Sequence, residues 1–415
     1  MTAAVLTAPS LTVSRGWPIA QLLGLLALTA AIGLLCLAPF VQRREVGSIK
    51  YLPILIAWIG WVVHLLTCRA ALGQFTAILR IYWPLAALGL VMTAGFLTAV
   101  SDDLLVTFRP HALALLSFFP VCHLAVAADT ARFVRVALAL LGLGSLFMLG
   151  IAVVNFPRHI VHENLFLFVP VAIYAALASP RRWMPWAAAL YMAFFAVIGL
   201  KNTTFIIAGL GVYGLYVFNQ SAVRAGTRSP IQWQTLILLA IVAGLGWVAL
   251  DYLKSAVSEF SNGNAEFRTY LYEHTWRQFL DSPLWGDGFS GTPNVRFFLF
   301  TVNNGGEQFL PSHSDQLDLL AHGGVLGFAG LWLALGRLGL RSLRLRPAEP
   351  MRVHAARGCL VVMCLAAVVS SCFNPVLGNP ANGFMFWSCF ALLAALDQRG
   401  LASDGSGVAE GVTDA

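Results

Sequence analysis

Two residues in a largely apolar chain have types and surroundings suited to group transfer. Arg268 lies in NAEFRTYLYEHTWRQFLDSPLWGDGFSG (264–291), and His313 opens SHSDQLDLLAHGGVLGF (312–328). A guanidinium is a planar fork that can hold a phosphate group through two hydrogen bonds at once. An imidazole titrates near neutrality, at about pH 6.5, and can take the proton of a hydroxyl as that hydroxyl attacks a carbon centre. Each residue also has a plainer reading. Arg268 can be a solvated charge on an interfacial helix, and His313 a polar residue at a helix cap.

Other polar residues can join them. Lys201 and Arg158 sit on short loops and can help hold an anion; the plainer reading is snorkelling at a span end. Asp315 and Asp318 are one turn apart on one helix face, placed to orient an acceptor or to cap the helix. His322, nine residues beyond His313, falls on a different face. It reads as bundle-facing, with a proton relay as the alternative. The pair Asp102–Asp103 reads as interfacial. A Walker loop, a dinucleotide fingerprint, HExxH and GxSxG are all missing, so ATP hydrolysis and zinc proteolysis have no support.

These residues need elements to hold them, and composition says what kind. The chain has 415 residues, of which 58% are hydrophobic and 11% charged. A soluble domain carries about 25% charged residues, so lipid is the expected solvent for most of the surface. The seven cysteines lie in or beside apolar runs without zinc spacing, which predicts neither a disulfide framework nor a metal site. The net charge of +7 is scattered over short loops rather than gathered in a patch, so no nucleic-acid partner is expected.

A hydrocarbon core of about 30 Å needs roughly 20 apolar residues per helix. That ruler predicts twelve spans: 17–40, 51–68, 81–100, 111–128, 136–155, 165–179, 185–200, 204–219, 235–250, 319–340, 358–374 and 384–397. With a cytoplasmic N-terminus, 16 Lys and Arg fall on the cytoplasmic side and 6 on the short outer loops, the favoured orientation. The expected organisation is a cytoplasmic lead (1–16), a nine-span bundle (17–250), an extracytoplasmic loop (251–318), three further spans (319–397) and a disordered cytoplasmic tail (398–415). The fold class is all-α and polytopic. Within the loop, Asn264 is a candidate N-cap. Phe267, Leu271, His274 or Thr275, and Gln278–Phe279 follow as an apolar stripe that would lie on the membrane surface. Asp281–Ser282–Pro283 stops that helix. Gly286, Gly288 and Gly291 make a mobile or tightly turned segment, and Ser312 or Ser314 caps the next span.

Taken together, these features resemble the O-antigen ligase and polymerase family of bacterial envelope glycosyltransferases. Pro283-Leu284-Trp285-Gly286-Asp287-Gly288 matches that family's PL-G-G-G turn. His313, Leu317, Leu320, Gly324 and Gly327 match its HN-x-x-L-x-x-L-x-E-x-G-x-x-G pattern. Ser314 stands where the family has Asn, His322 where it has Glu, and Lys201 where an Arg precedes the eighth span. HENLF (162–166) and KNTT (201–204) are nearer to chain polymerases than to ligases.

The resemblance implies a GT-C-like bundle in the bacterial inner membrane with its active site facing the periplasm. It implies an undecaprenyl-diphosphate-linked glycan as donor, and lipid A–core or a growing polysaccharide as acceptor. Arg268, with Lys201 and Arg158, would hold the diphosphate. His313 would activate the acceptor hydroxyl, and Asp315, Asp318 and His322 would orient it. Transfer would invert the anomeric carbon and need neither metal nor cofactor. A transporter or flippase of lipid-linked sugars is the competing reading, although no inverted repeat is visible.

Overall fold

The computed structural model describes residues 18–38, 47–98, 102–127, 129–155, 164–199, 202–224, 262–290, 295–298, 307–310, 312–342 and 349–406. The first half of the chain folds into α1 (Ile19–Leu37), α2 (Leu52–Thr67), α3 (Ala71–Ile81), α4 (Trp83–Thr98), α5 (Asp102–Leu116), α6 (Phe118–Val126), α7 (Thr130–Asn155), α8 (Leu165–Phe168), α9 (Val171–Ala178), α10 (Met184–Gly199) and α11 (Asn202–Arg224). The second half adds α12 (Asn262–Asp281), β1 (Val295–Phe298), β2 (Glu307–Leu310), α13 (Asp315–Ser342), α14 (Met351–Phe373) and α15 (Pro380–Ser406).

Every expected span coincides with helix except 235–250, which lies outside the described residues. Among the described residues, seven helical stretches are long and apolar enough to cross a membrane, or eight if α3 and α4, bent by 87°, form one broken span. Two expected spans, 165–179 and 185–200, become shorter apolar helices.

Helices in lipid gain little from burying apolar surface against each other and associate through close packing. The packing here is centred on α15. It touches α1, α2, α5, α6, α7, α13 and α14. Its Phe384, Phe386, Trp387 and Phe390 are buried with Phe118, Phe133, Phe166 and Phe168 from the surrounding helices. The outer faces of α1, α2 and α7 expose Leu22, Leu26, Leu55, Ile59, Leu143 and Phe147, as a lipid-facing surface would.

Three features depart from the sequence expectations. The fold is helical but not purely so, because β1 and β2 form an antiparallel hairpin with Val295 opposite Leu310 and Phe298 opposite Glu307. The last helix runs past Asp397 to Ser406, through residues expected to be disordered. The stripe of α12 packs mainly on α13, with Leu271, Thr275 and Phe279 buried, rather than lying on the membrane surface. A stripe spaced every four residues is a single ridge wide, enough to seat one neighbouring helix.

Candidate functional site

α12, the turn after it and the start of α13 form one interlocked unit. α12 ends at Asp281, and the chain passes through Pro283–Phe289 in a tight turn, with Gly286, Gly288 and Phe289 all at positive φ. α13 is broken at Gly324, where φ is 60° and ψ is −171°. A break exposes amide N–H groups that must find acceptors in a low-dielectric interior. The turn provides them. Val325 N–H donates to the Pro283 carbonyl at 2.9 Å, and Leu326 N–H to the Leu284 carbonyl at 3.2 Å.

The fit leaves no room for side chains at two positions. A Cβ on Gly286 would come within 2.3 Å of the His322 backbone, and one on Gly324 within 2.3 Å of the Leu284 carbonyl oxygen. Both residues also need the left-handed conformation that only glycine adopts without cost. The Pro-Leu-x-Gly-x-Gly turn and the Gly324 of α13 are thus two halves of one joint.

A polar group locks the joint. Asp287 accepts from His322 Nδ1 at 2.6 Å and from Gln278 Nε2 at 3.1 Å. Its other oxygen accepts the Phe289 N–H at 2.9 Å. His322 is 1% exposed. It faces the bundle, as the plainer reading expects, and its partner is the turn.

The start of α13 is fastened as tightly. Ser314 Oγ accepts the Leu317 N–H at 3.3 Å, the bond expected of an N-cap. Ser312 Oγ donates to the Ser314 carbonyl and accepts the Ser314 N–H, at 2.9 and 3.1 Å. Asp318 reaches back to accept the Ser312 N–H at 3.1 Å. His313, held between these two serines, has φ +62°, an uncommon conformation for a residue with a side chain. Its neighbours are buried while His313 itself is half-exposed.

Asp315 ties this corner to the α14–α15 connection, accepting the Leu377 N–H at 2.9 Å and lying 3.4 Å from His111 Nε2. Gln316 donates to Ser371 Oγ at 2.9 Å. Below the corner, Asp315, Asp318, His111, Phe289 and Trp387 line a cavity of about 20 Å³, room for one water molecule.

Arg268 meets the same connection from the other side. It is half-exposed and donates to the Phe373 carbonyl at 3.2 Å. Its second partner is the hydroxyl of Tyr272, one turn along α12. Burial pushes the Tyr272 hydroxyl up, so the ring is neutral and its oxygen accepts. Among the described residues, the partners found for Arg268 are neutral.

The structure therefore brings Arg268, on α12, and the His313 corner to one connection, residues 373–377. Lys201 and Arg158 lie outside the described residues, and so do the side chains of Asp102 and Asp103. Asp315, Asp318 and His322 all have partners within the protein. Among the described residues, no three His, Cys, Asp or Glu side chains gather as metal ligands would. Tyr272, Asp287, Gln278 and His111 were not anticipated. Tyr272 carried a signal, standing four residues after Arg268 on the same helix face. Asp287 carried another, enclosed by two glycines of the turn.

Residues 138–332 match the family model described as O-antigen ligase (Wzy_C). The match includes α12, the turn, the His313 corner and the break in α13. Over these residues the chain is similar to the O-antigen ligase/polymerase family, and its several long apolar helices suit a multi-pass membrane protein. No curated protein matches the chain.

Proposed function

We propose that this protein transfers a glycan from undecaprenyl diphosphate to an acceptor hydroxyl at the periplasmic face of the bacterial inner membrane. The acceptor is lipid A–core or a growing O-antigen or exopolysaccharide chain. The observation that supports this reading best is the shared anchorage of Arg268 and the His313 corner on residues 373–377.

The donor diphosphate binds at Arg268, with Lys201 and Arg158 as further cations. An exposed guanidinium with neutral partners can turn to an anion without breaking an ion pair. The acceptor oxygen attacks the anomeric carbon as its proton passes to the His313 imidazole. The bond from that carbon to the diphosphate oxygen breaks, and the configuration inverts. Arg268 stabilises the charge that collects on the leaving diphosphate. The left-handed backbone at His313 costs about 1–3 kcal/mol, a cost that the interlocked serines sustain. Asp315, Asp318 and His322 act through the scaffold, since each is bonded to the joint or the connection. No metal ion enters the scheme.

Transport is the competing reading, and the broken helix at Gly324 is the feature it would use. The amides freed at that break are already taken by Pro283 and Leu284, which favours a structural joint.

The test is glycan transfer in detergent with EDTA, from undecaprenyl-diphosphate-linked repeat units to lipid A–core or to a second repeat unit. Wild type should form product, and Arg268→Ala and His313→Ala should not. Lengthened glycan identifies a polymerase, and product on lipid A–core a ligase. Activity in both variants equal to wild type sinks the proposal, as does the use of neither acceptor.

A further inference from the structure

We propose that the opposite end of the bundle carries a second anion site. It is a cavity between α7, α14 and α15 that takes a phosphate group on an apolar stem, as in the headgroup region of an anionic phospholipid. The cavity has a volume of about 200 Å³. Arg135 and Arg352 line it, together with Pro350, Val353, Ala356 and Leu396. α14 runs from this cavity to Phe373, where Arg268 is bound. At about 1.5 Å per residue, the two sites are roughly 30 Å apart.

Four observations point to an anion there. Arg135, from α7, and Arg352, from α14, line the same cavity, which brings two positive charges to one place. Neither has an acidic partner among the described residues. Glu349, which opens this segment, is engaged by Arg357 at 2.6 Å. Arg135 does donate from Nε to the Ala131 carbonyl at 3.1 Å, which steadies the guanidinium and leaves its terminal nitrogens for a ligand. Finally, α7 and α14 both begin at the cavity, so the positive ends of two long helices face it.

Size and lining narrow the ligand. A cavity of about 200 Å³ has room for a five-atom phosphate with its first carbons. Apart from the two guanidiniums, the named lining side chains are apolar, which suits a glyceryl stem better than a soluble polyanion. Arg337 and Arg341 also lie toward this end of α13, and a basic membrane-facing end draws anionic lipid.

The test uses the delipidated full chain in detergent, read by native mass spectrometry and by unfolding temperature. The probes are phosphatidylglycerol, phosphatidylcholine and inorganic pyrophosphate. Phosphatidylglycerol should be retained and should raise the unfolding temperature by about 2–4 °C, with no such effect from phosphatidylcholine. The double variant Arg135→Gln/Arg352→Gln should lose this shift. Ala356→Phe, which fills the cavity and keeps both charges, should lose it too. Arg268→Ala, at the other end, should keep it. A shift with pyrophosphate that the double variant abolishes would support the phosphate site and make a soluble phosphate its source. Equal shifts from both lipids, no shift with any probe, or a shift that survives Ala356→Phe would overturn the proposal. If the double variant does not fold, Ala356→Phe decides alone.

Discussion

The two ends of this bundle use charge in opposite ways. At one end, Arg357 is 2% exposed and is held by Glu349 at 2.6 Å and Asp397 at 3.8 Å. At the other, Arg268 is half-exposed, and the partners found for it are a carbonyl and a phenol. A buried guanidinium bound by two carboxylates serves the fold and cannot turn to a ligand without leaving charge unpaired. A guanidinium on neutral partners remains available. The same residue type is structural in one place and a candidate for chemistry in the other, and surroundings decide which.

The sharpest way to break this comparison is to exchange the consequences. Arg357→Ala should leave the Glu349 carboxylate without its guanidinium in a buried setting and cost about 3–5 kcal/mol, read as a lower unfolding temperature in detergent. Arg268→Ala should cost about 1–2 kcal/mol at most, for its bonds to the Phe373 carbonyl and Tyr272. It should lower the transfer rate by about 10²–10³-fold. If Arg268→Ala lowers the unfolding temperature as much as Arg357→Ala does and the folded variant keeps the wild-type transfer rate, the assignment of roles is reversed.

His313 tests the strained corner next. His313→Ala should slow transfer by about 10²–10⁴-fold. His313→Gly should be equally slow yet more stable than wild type, by about 1 kcal/mol, because glycine relieves the left-handed backbone. Slow transfer without that gain would mean that the corner is not strained.

The joint gives smaller effects. Gly286→Ala should cost about 2–4 kcal/mol, from the positive φ and the clash with the His322 backbone, measured by chemical or thermal unfolding. Asp287→Asn should cost about 1–3 kcal/mol, since an amide oxygen that accepts from His322 and Gln278 leaves the amide NH2 facing the Phe289 N–H, a donor against a donor. Tyr272→Phe removes one neutral acceptor from Arg268. It should cost about 1 kcal/mol of stability at most, with transfer slowed less than tenfold. An effect as large as that of Arg268→Ala would place Tyr272 in the chemistry itself.

Much of the architecture was legible in the chain. Long apolar runs foretold the helices, and the position of the loop helix followed from its stripe and its Asp-Ser-Pro stop. Periodicity left His274 and Thr275 open as the stripe's third member. Thr275 is the buried one, which makes the stripe Leu271–Thr275–Phe279. Ser314 was one of two candidate caps for α13, and it is the one that caps. The hairpin escaped notice because four-residue strands at 295–298 and 307–310 are too short for alternation to declare itself. The break at Gly324 was hidden because paired glycines in an apolar run look like close packing until a partner turn is seen.

What the amino-acid order determined by itself is the solvent and the local geometry. Few charges and long apolar runs require lipid around helices, and glycines at 286 and 324 permit backbone that other residues resist. What only the tertiary structure decided is which polar groups are occupied. Asp287 meets His322 across 35 residues, and Arg268 meets the Phe373 carbonyl across 105. Such partners are set by how helices distant in sequence pack in three dimensions, which local spacing does not encode.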